Sequence, residues 1–385
     1  MPCQYFASEQ CRSCHLLATP YEQQLAQKQR DLEQLLSRYQ NARFLPPEAS
    51  AEFHFRNKAK MVVMGTAAVP VLGIVNHQQQ VIDLTSCPLY PEAFHTAFIS
   101  ILEFIQYARL TPYDVATKKG ELKFILLTRS EATGLWMLRF VLRSQNCVAA
   151  IRKHLPSLRK QLPNLSVCSV NLQPEHKAVL EGEVEILLSE SSMLAEQLND
   201  VPLYMQPQSF FQTNPVLAAK LYQTARTWTQ DLPVVHVWDL FCGVGGFALH
   251  LATPGRIVTG IEISESAIAC ASRSAAELGL QHFHFQALDA AAFAQAQQQR
   301  PDLLVVNPPR RGLGAELCAT VARLQPRWLL YSSCHPQSLS TDLTLLSQYE
   351  VCQVQLFDFF PHTAHAEVLC LLQLSVEVDS SVKNL

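Results

Sequence analysis

The sequence predicts an α/β fold for the carboxyl-terminal half of this 385-residue chain, preceded by a mixed α+β domain. Three observations carry that prediction. From about Val234 onward, short apolar runs alternate with helical segments, the pattern of a parallel sheet covered by helices on both faces. A glycine-rich turn, Gly243-Val244-Gly245-Gly246, follows the first run, at the end of a strand where such sheets bind ligands. The last two runs are joined too closely for a crossover helix, so they pair as an antiparallel hairpin at a sheet edge.

In chain order, Leu25, Leu32, Leu35, Leu36 and Tyr39 fall on one helical stripe, and Phe94, Phe98, Ile101, Ile105 and Ala108 on a second. Strand-like runs begin at Val71 (VLGIV), Glu121 (ELKFILLT) and Leu135 (LWMLRFVL). The second half supplies seven strands: VVHVWDLF, RIVTGIEI, HFHFQALD, PDLLVVNPP, RWLLYSSC, CQVQLFDF and EVLCLLQL. Domains are therefore expected over 1–203 and 204–375, with a tail at 376–385.

Hydrophobic residues make up 48% of the chain and charged residues 16%, which excludes a disordered polyelectrolyte, and a net charge of -3 excludes a polycation. The charge is uneven, however. Lys118, Lys119, Lys123, Arg129, Arg139, Arg143, Arg152, Lys153, Arg159 and Lys160 face only Glu121 and Glu131 within 118–160. That excess suits either phosphate contact or an ordinary solvated face. The start of the chain lacks the basic and apolar regions of a signal peptide, and no apolar run approaches the ~20 residues of a membrane span, so a cytoplasmic protein free of membrane is expected. In a reducing compartment, clustered cysteines point to metal or catalysis, and scattered ones to packing.

Asp239-Leu240-Phe241-Cys242-Gly243-Val244-Gly245-Gly246-Phe247-Ala248 lets the backbone approach a nucleotide-like ligand, and Glu262, ending the next strand, is placed to accept both ribose hydroxyls. This fits a nicotinamide dinucleotide and S-adenosylmethionine alike. Asp239 before the glycines and Asn307-Pro308-Pro309-Arg310 after strand four favour the methyl donor. Cys334 lies at the carboxyl end of strand five. There, a thiolate can activate a poorly nucleophilic ring carbon such as uracil C5 by adding to C6. A base must then remove the C5 proton, and Glu367, opening the last strand, is the best-placed carboxylate.

Five parallel strands ending in a hairpin resemble class I methyltransferases, with their Rossmann-like sheet. Ser209-Phe210-Phe211-Gln212-Thr213-Asn214, the Asp239–Phe247 loop, Asn307–Gly312, the Cys334 segment and Pro361–Glu367 together resemble the S-adenosylmethionine-dependent RNA uracil-5-methyltransferases over nearly the whole chain. That resemblance implies donor contacts from Gln212, Phe241, Glu262 and Asn307, a nucleophile in Cys334 and a general base in Glu367. Phe211 is the candidate to stack on an extruded base. Asp289 could reach the adenine amino group or cap a helix, and Arg310 could hold RNA phosphate.

Cys3, Cys11, Cys14 and the distant Cys87-Pro88 suggest iron–sulfur ligation, with zinc as the alternative. Family members with such a set resemble 23S ribosomal RNA methyltransferases carrying a 4Fe-4S cluster. With Cys3 so near the start of the sequence, the TRAM barrel found in other members is not expected. The expected substrate is thus a uridine in a 23S hairpin loop, modified by a monomer. Alternatives are transfer RNA, a non-catalytic RNA-binding protein, or an oxidoreductase. Gly246 stands where many relatives have Asn, Asn307 where they have Asp, and His335 where Asn or Asp follows the nucleophile.

Overall fold

The structure, a computed structural model, describes residues 3–76, 78–176 and 181–375, so the expected tail at 376–385 lies outside the described residues. Two compact units emerge: Met1–Ala18 with Ala51–Val216, and Thr19–Ser50 with Leu217–Leu385. The expected boundary at 203 thus moves to 216, and Thr19–Ser50 belongs with the catalytic half. Packing explains the reassignment. Leu32 and Leu36, from the helix Tyr21–Leu35 and its C-cap, are buried in the second unit's core with Leu343, Leu346 and Tyr349. Each buried leucine contributes about 2 kcal/mol. The spacing identifies the apolar stripe but not the surface that covers it.

In the first unit, seven strands run in the order Val81–Asp83, Pro70–Val75, Lys58–Gly65, Leu122–Arg129, Trp136–Leu142, Leu165–Leu172, Val184–Leu187. All neighbours are antiparallel except Trp136–Leu142 and Leu165–Leu172, which are parallel across the helix Val148–Gln161. Phe94, Phe98, Ile101 and Ile105 of the helix Glu92–Tyr107 share one core with Ile151, Leu155 and Leu158 of Val148–Gln161. A two-stranded ribbon, Leu194–Leu198 with Val201–Met205, follows.

The second unit holds an eight-stranded sheet in the order Arg43–Phe44, Tyr349–Phe357, Glu367–Leu374, Trp328–Ser333, Leu303–Val306, His236–Leu240, Ile257–Glu262, Phe283–Ala287. All seven expected runs contribute. The eighth strand, Arg43–Phe44, is too short to show a period, and it pairs parallel to Tyr349–Phe357. The terminal hairpin therefore does not form the sheet edge. Glu367–Leu374 is antiparallel to both its neighbours, with Ser333 opposite Val368. This reversal brings the start of the last strand beside the carboxyl end of Trp328–Ser333, where the other strands present their functional loops.

Candidate active site

Strand His236–Leu240 is paired on both sides and ends in a turn that L side chains rarely adopt: Phe241 has φ +64°, Gly243 +54° and Gly245 +86°. A phenylalanine held there is strained, and such strain concentrates at functional sites. Asp239, fully buried beneath the turn, accepts a hydrogen bond from the Ala248 amide at 2.9 Å through Oδ2. Its Oδ1 has no partner among the described residues. Burial raises this carboxyl to about 8, against the Ala248 hydrogen bond and with help from the Glu262 charge. Glu262 accepts from the amides of Gly243 at 3.3 Å and Ser264 at 3.0 Å, tying the glycine turn to the next strand's end. The Asn307 amide donates to Leu240 O at 3.4 Å, so the Asn-Pro-Pro-Arg segment abuts the same turn. At Gly246 a Cβ would strike the phenol of Tyr222 unless that ring shifts.

Two residues at this edge escaped the sequence reading. Glu262 and Ala287 pair in register, and the next residue on each strand is an exposed apolar one, Ile263 at 73% and Leu288 at 44%. Exposed apolar residues just past the strand ends were the available signal, and they suit a flat aromatic ring. Asp289 Oδ1 accepts from Ala292 N at 2.9 Å, so its helix-capping alternative is the one observed.

At the other end of the same edge, Cys334 is half-buried and Glu367 is 5% exposed. The Ser332 hydroxyl donates to Glu367 Oε1. Burial raises Glu367 to about 7, against that hydrogen bond. Burial and then the Glu367 charge raise the Cys334 thiol, while the Arg310 guanidinium pulls it back. Arg310 Nη2 lies 3.2 Å from His365 Nδ1, two residues before Glu367. His335 Nδ1 accepts from Ser338 N at 3.3 Å and caps the helix Pro336–Leu345, a structural role. A further residue missed from sequence is Asp342. It accepts from Leu313 N at 2.7 Å, Gly314 N at 3.2 Å and the Tyr331 hydroxyl at 2.6 Å, shaping the loop after Arg310. No local motif announces it.

Gln212 and Phe211 belong to the first unit, the glycine turn and Cys334 to the second. Phe211, the ring expected to stack, is 5% exposed, whereas its neighbour Phe210 is 71% exposed. The basic stretch is only partly free. Lys123 and Arg139 are buried, Lys123 donating to Gln173 and to Glu175 O, and Arg139 gripping Glu185 at 3.0 Å through Nε. Arg143 pairs with Glu121 at 2.8 Å and Arg129 with Glu131 at 3.2 Å. Lys118, Lys119, Arg152, Lys153 and Lys160 remain exposed.

All twelve cysteines are free thiols. Among the described residues no three His, Cys, Asp or Glu side chains gather in metal-holding geometry. Cys3, Cys11, Cys14 and Cys87 are nonetheless near neighbours. Burial, then the charges of Cys87, Cys11 and Cys3, push Cys14 up to about 12, and burial with Cys3 and Cys11 holds Cys87 near about 11. Cysteine sulfur, with no disulfide among the four, is the donor type that a soft cation takes. Among the described residues no helix is long and apolar enough to cross a membrane.

A family model described as tRNA (Uracil-5-)-methyltransferase matches residues 191–375. A 23S rRNA (uracil(747)-C(5))-methyltransferase, RlmC, from Pectobacterium atrosepticum is 54% identical over 97% of this chain and 100% of its own length. The RlmC protein of Salmonella typhimurium is 52% identical over 98% of this chain and 100% of its own. Among solved structures, the Pyrococcus abyssi tRNA (uracil-54, C5)-methyltransferase in complex with S-adenosyl-L-homocysteine superposes with a TM-score of 0.78, covering 93% of this chain and 85% of that one. At 24% identity, that likeness establishes the methyltransferase fold.

Proposed function

Because the chain belongs to the RNA uracil-5-methyltransferase family, we propose that it transfers the methyl group of S-adenosylmethionine to C5 of a uridine in a 23S ribosomal RNA hairpin loop. The observation that carries this reading is a thiol and a buried carboxyl, Cys334 and Glu367, brought together where Ser333 pairs with Val368, on the edge that also holds the glycine turn. The ribosomal relatives match over their full length, which favours ribosomal over transfer RNA.

Bound at the glycine turn, S-adenosylmethionine supplies an electrophilic methyl carbon. Glu262 would take its ribose hydroxyls and Ile263 with Leu288 its adenine ring. Phe241, Asn307 and Gln212 would hold the remainder, with Asp289 near the adenine amino group. A flipped uracil presents C6 to Cys334 and, on a loop, costs only a few kcal/mol to extrude. Cys334 first gives its thiol proton to solvent; the thiolate then forms a bond to C6, and the displaced π pair makes C5 nucleophilic. C5 then takes the methyl group, leaving S-adenosylhomocysteine. Glu367 accepts the C5 proton, the C5–C6 double bond re-forms, and Cys334 leaves as thiolate. Arg310, which stabilises the Cys334 thiolate, also offers the substrate phosphate a charge-assisted hydrogen bond. Phe210 provides a stacking surface. Cys3, Cys11, Cys14 and Cys87 would hold a 4Fe-4S cluster within the first unit.

The test uses 23S RNA fragments in which 5-fluorouracil replaces uracil. Fluorine at C5 cannot leave as a cation, so the reaction halts with enzyme bonded to C6. With S-adenosylmethionine present, wild-type protein is expected to form an adduct stable to denaturing electrophoresis, and Cys334→Ala none. An equal adduct with Cys334→Ala removes the cysteine mechanism. An adduct only with fluorouracil transfer RNA changes the substrate.

A further inference from the structure

We propose that Lys28 is a positioning residue for the catalytic pair, holding the loop that ends at Glu367 and that carries the His365 partner of Arg310; the proposal rests on the reading of Cys334 and Glu367 given above.

Lys28 belongs to the helix Tyr21–Leu35, whose buried face comprises Gln24, Lys28 and Leu32. Spacing of four places these residues on one stripe, where apolar residues are the norm. Two of the three are polar, and both reach one loop. Lys28 Nζ donates to Asp358 Oδ1 at 2.7 Å, to His365 O at 3.0 Å and to Phe360 O at 3.4 Å. An ammonium has three protons, so all are engaged. One turn earlier, Gln24 Oε1 accepts from the His362 amide at 2.9 Å, and Gln24 Nε2 lies 3.2 Å from His362 Nδ1. His362 sits at φ +64°, a left-handed conformation that a histidine keeps only when its surroundings hold it there.

The anchored loop joins two strands, Tyr349–Phe357 and Glu367–Leu374. Its last turn bears on both catalytic groups. His365, held by its carbonyl, meets Arg310 at 3.2 Å through its ring, and Arg310 is the cation that lowers the Cys334 thiol. Glu367 follows two residues later. Lys28 and Asp358 are 8% and 0% exposed, and an apolar pair of similar volume would bury at less cost than two charges. An ammonium with two main-chain carbonyls around it does what an apolar side chain cannot, which is to fix the path of a short loop. Sequence gave no hint of this, since Lys28 and Asp358 are 330 residues apart.

Removing Lys28 alone strands a buried carboxylate, so the informative variant is Lys28→Met/Asp358→Asn, compared with Lys28→Met and with Glu367→Gln. Methylation of unsubstituted 23S RNA is followed by kcat, by KM for S-adenosylmethionine and by the protein–RNA adduct standing at steady state. The expected result for the double variant is an unchanged donor KM, a kcat lower by about 10- to 100-fold, the range a misplaced catalytic group of ~1 Å produces, and accumulated adduct. A double variant with wild-type kcat, or with kcat reduced and no adduct, overturns the positioning role. If Glu367→Gln itself turns over normally, the assignment of the base fails instead. If Glu367→Gln stalls as adduct while the double variant turns over freely, the base stands and only the Lys28 proposal falls.

Discussion

Glu367 illustrates what a single residue's surroundings add to its identity. An exposed glutamate titrates near 4.5, whereas burial lifts this one to about 7, with the Ser332 hydroxyl opposing the shift. A base must be unprotonated, so resolution of the methylated adduct is expected to slow as pH falls through about 7. Single-turnover release of Cys334 from RNA, measured between pH 5.5 and 8.5, checks this, and a flat profile would remove Glu367 as the base. The same shift has a consequence of opposite direction for the fold. A carboxyl that holds its proton more tightly when folded contributes stability at low pH, and loses that contribution as pH rises from the ordinary carboxylate range through about 7. The placement of Cys334 and Glu367 at neighbouring strand ends was legible in sequence, because each adjoins an apolar run that reads as a strand. The raised carboxyl was not, since it depends on residues that bury Glu367 from elsewhere in the fold. Nor was the difference in exposure between Phe211 at 5% and Phe210 at 71%, as adjacent identical rings carry no directional information in sequence.

At the scale of elements, the seven strands of the catalytic sheet were legible because each is an apolar run bounded by turn residues. Three things were not. Arg43–Phe44 spans two residues and has no period. The helix Tyr21–Leu35 announced its stripe but not its partner. The basic stretch looked like one patch, yet Lys123 and Arg139 point inward from strands and only residues at turns and on a helix face stay exposed. The glycine turn shows how an element's sequence follows from its neighbours. At Gly246 the phenol of Tyr222 fills the space a side chain would need, and Tyr222 packs edge-on against Phe247 at 4.9 Å between ring centroids. Gly246→Ala is therefore expected to cost about 1–3 kcal/mol, the usual range for overpacking a well-filled site, read as a lowered melting temperature. Tyr222→Leu in the same chain should recover part of the loss. An unaltered melting temperature for Gly246→Ala would mean that the Tyr222 ring moves aside freely.

For the whole molecule, the open question is how the first eighteen residues stay on the first unit. Within 3–18 the structure has one four-residue helix, Gln4–Ala7, and its buried apolar side chain there is Tyr5. So little apolar surface gives a segment that length a weak hold. Cys3, Cys11 and Cys87 pack around the edge of the unit's core, and Cys14 lies close enough to all three for their charges to raise it. A cluster would thus serve as the covalent staple that the segment's own contacts do not provide. Protein purified without oxygen is expected to be brown and to hold about four irons and four sulfides per chain, as a 4Fe-4S group requires. Cys14→Ser should lose the iron and open the bond between residues 12 and 13 to trypsin, while Cys147→Ser, a half-buried cysteine outside the set, should do neither. Zinc without iron or sulfide would replace the cluster with a tetrahedral thiolate site. A wild-type protein holding no metal, with the amino-terminal segment still resistant to trypsin, would show that the thiols pack as ordinary side chains.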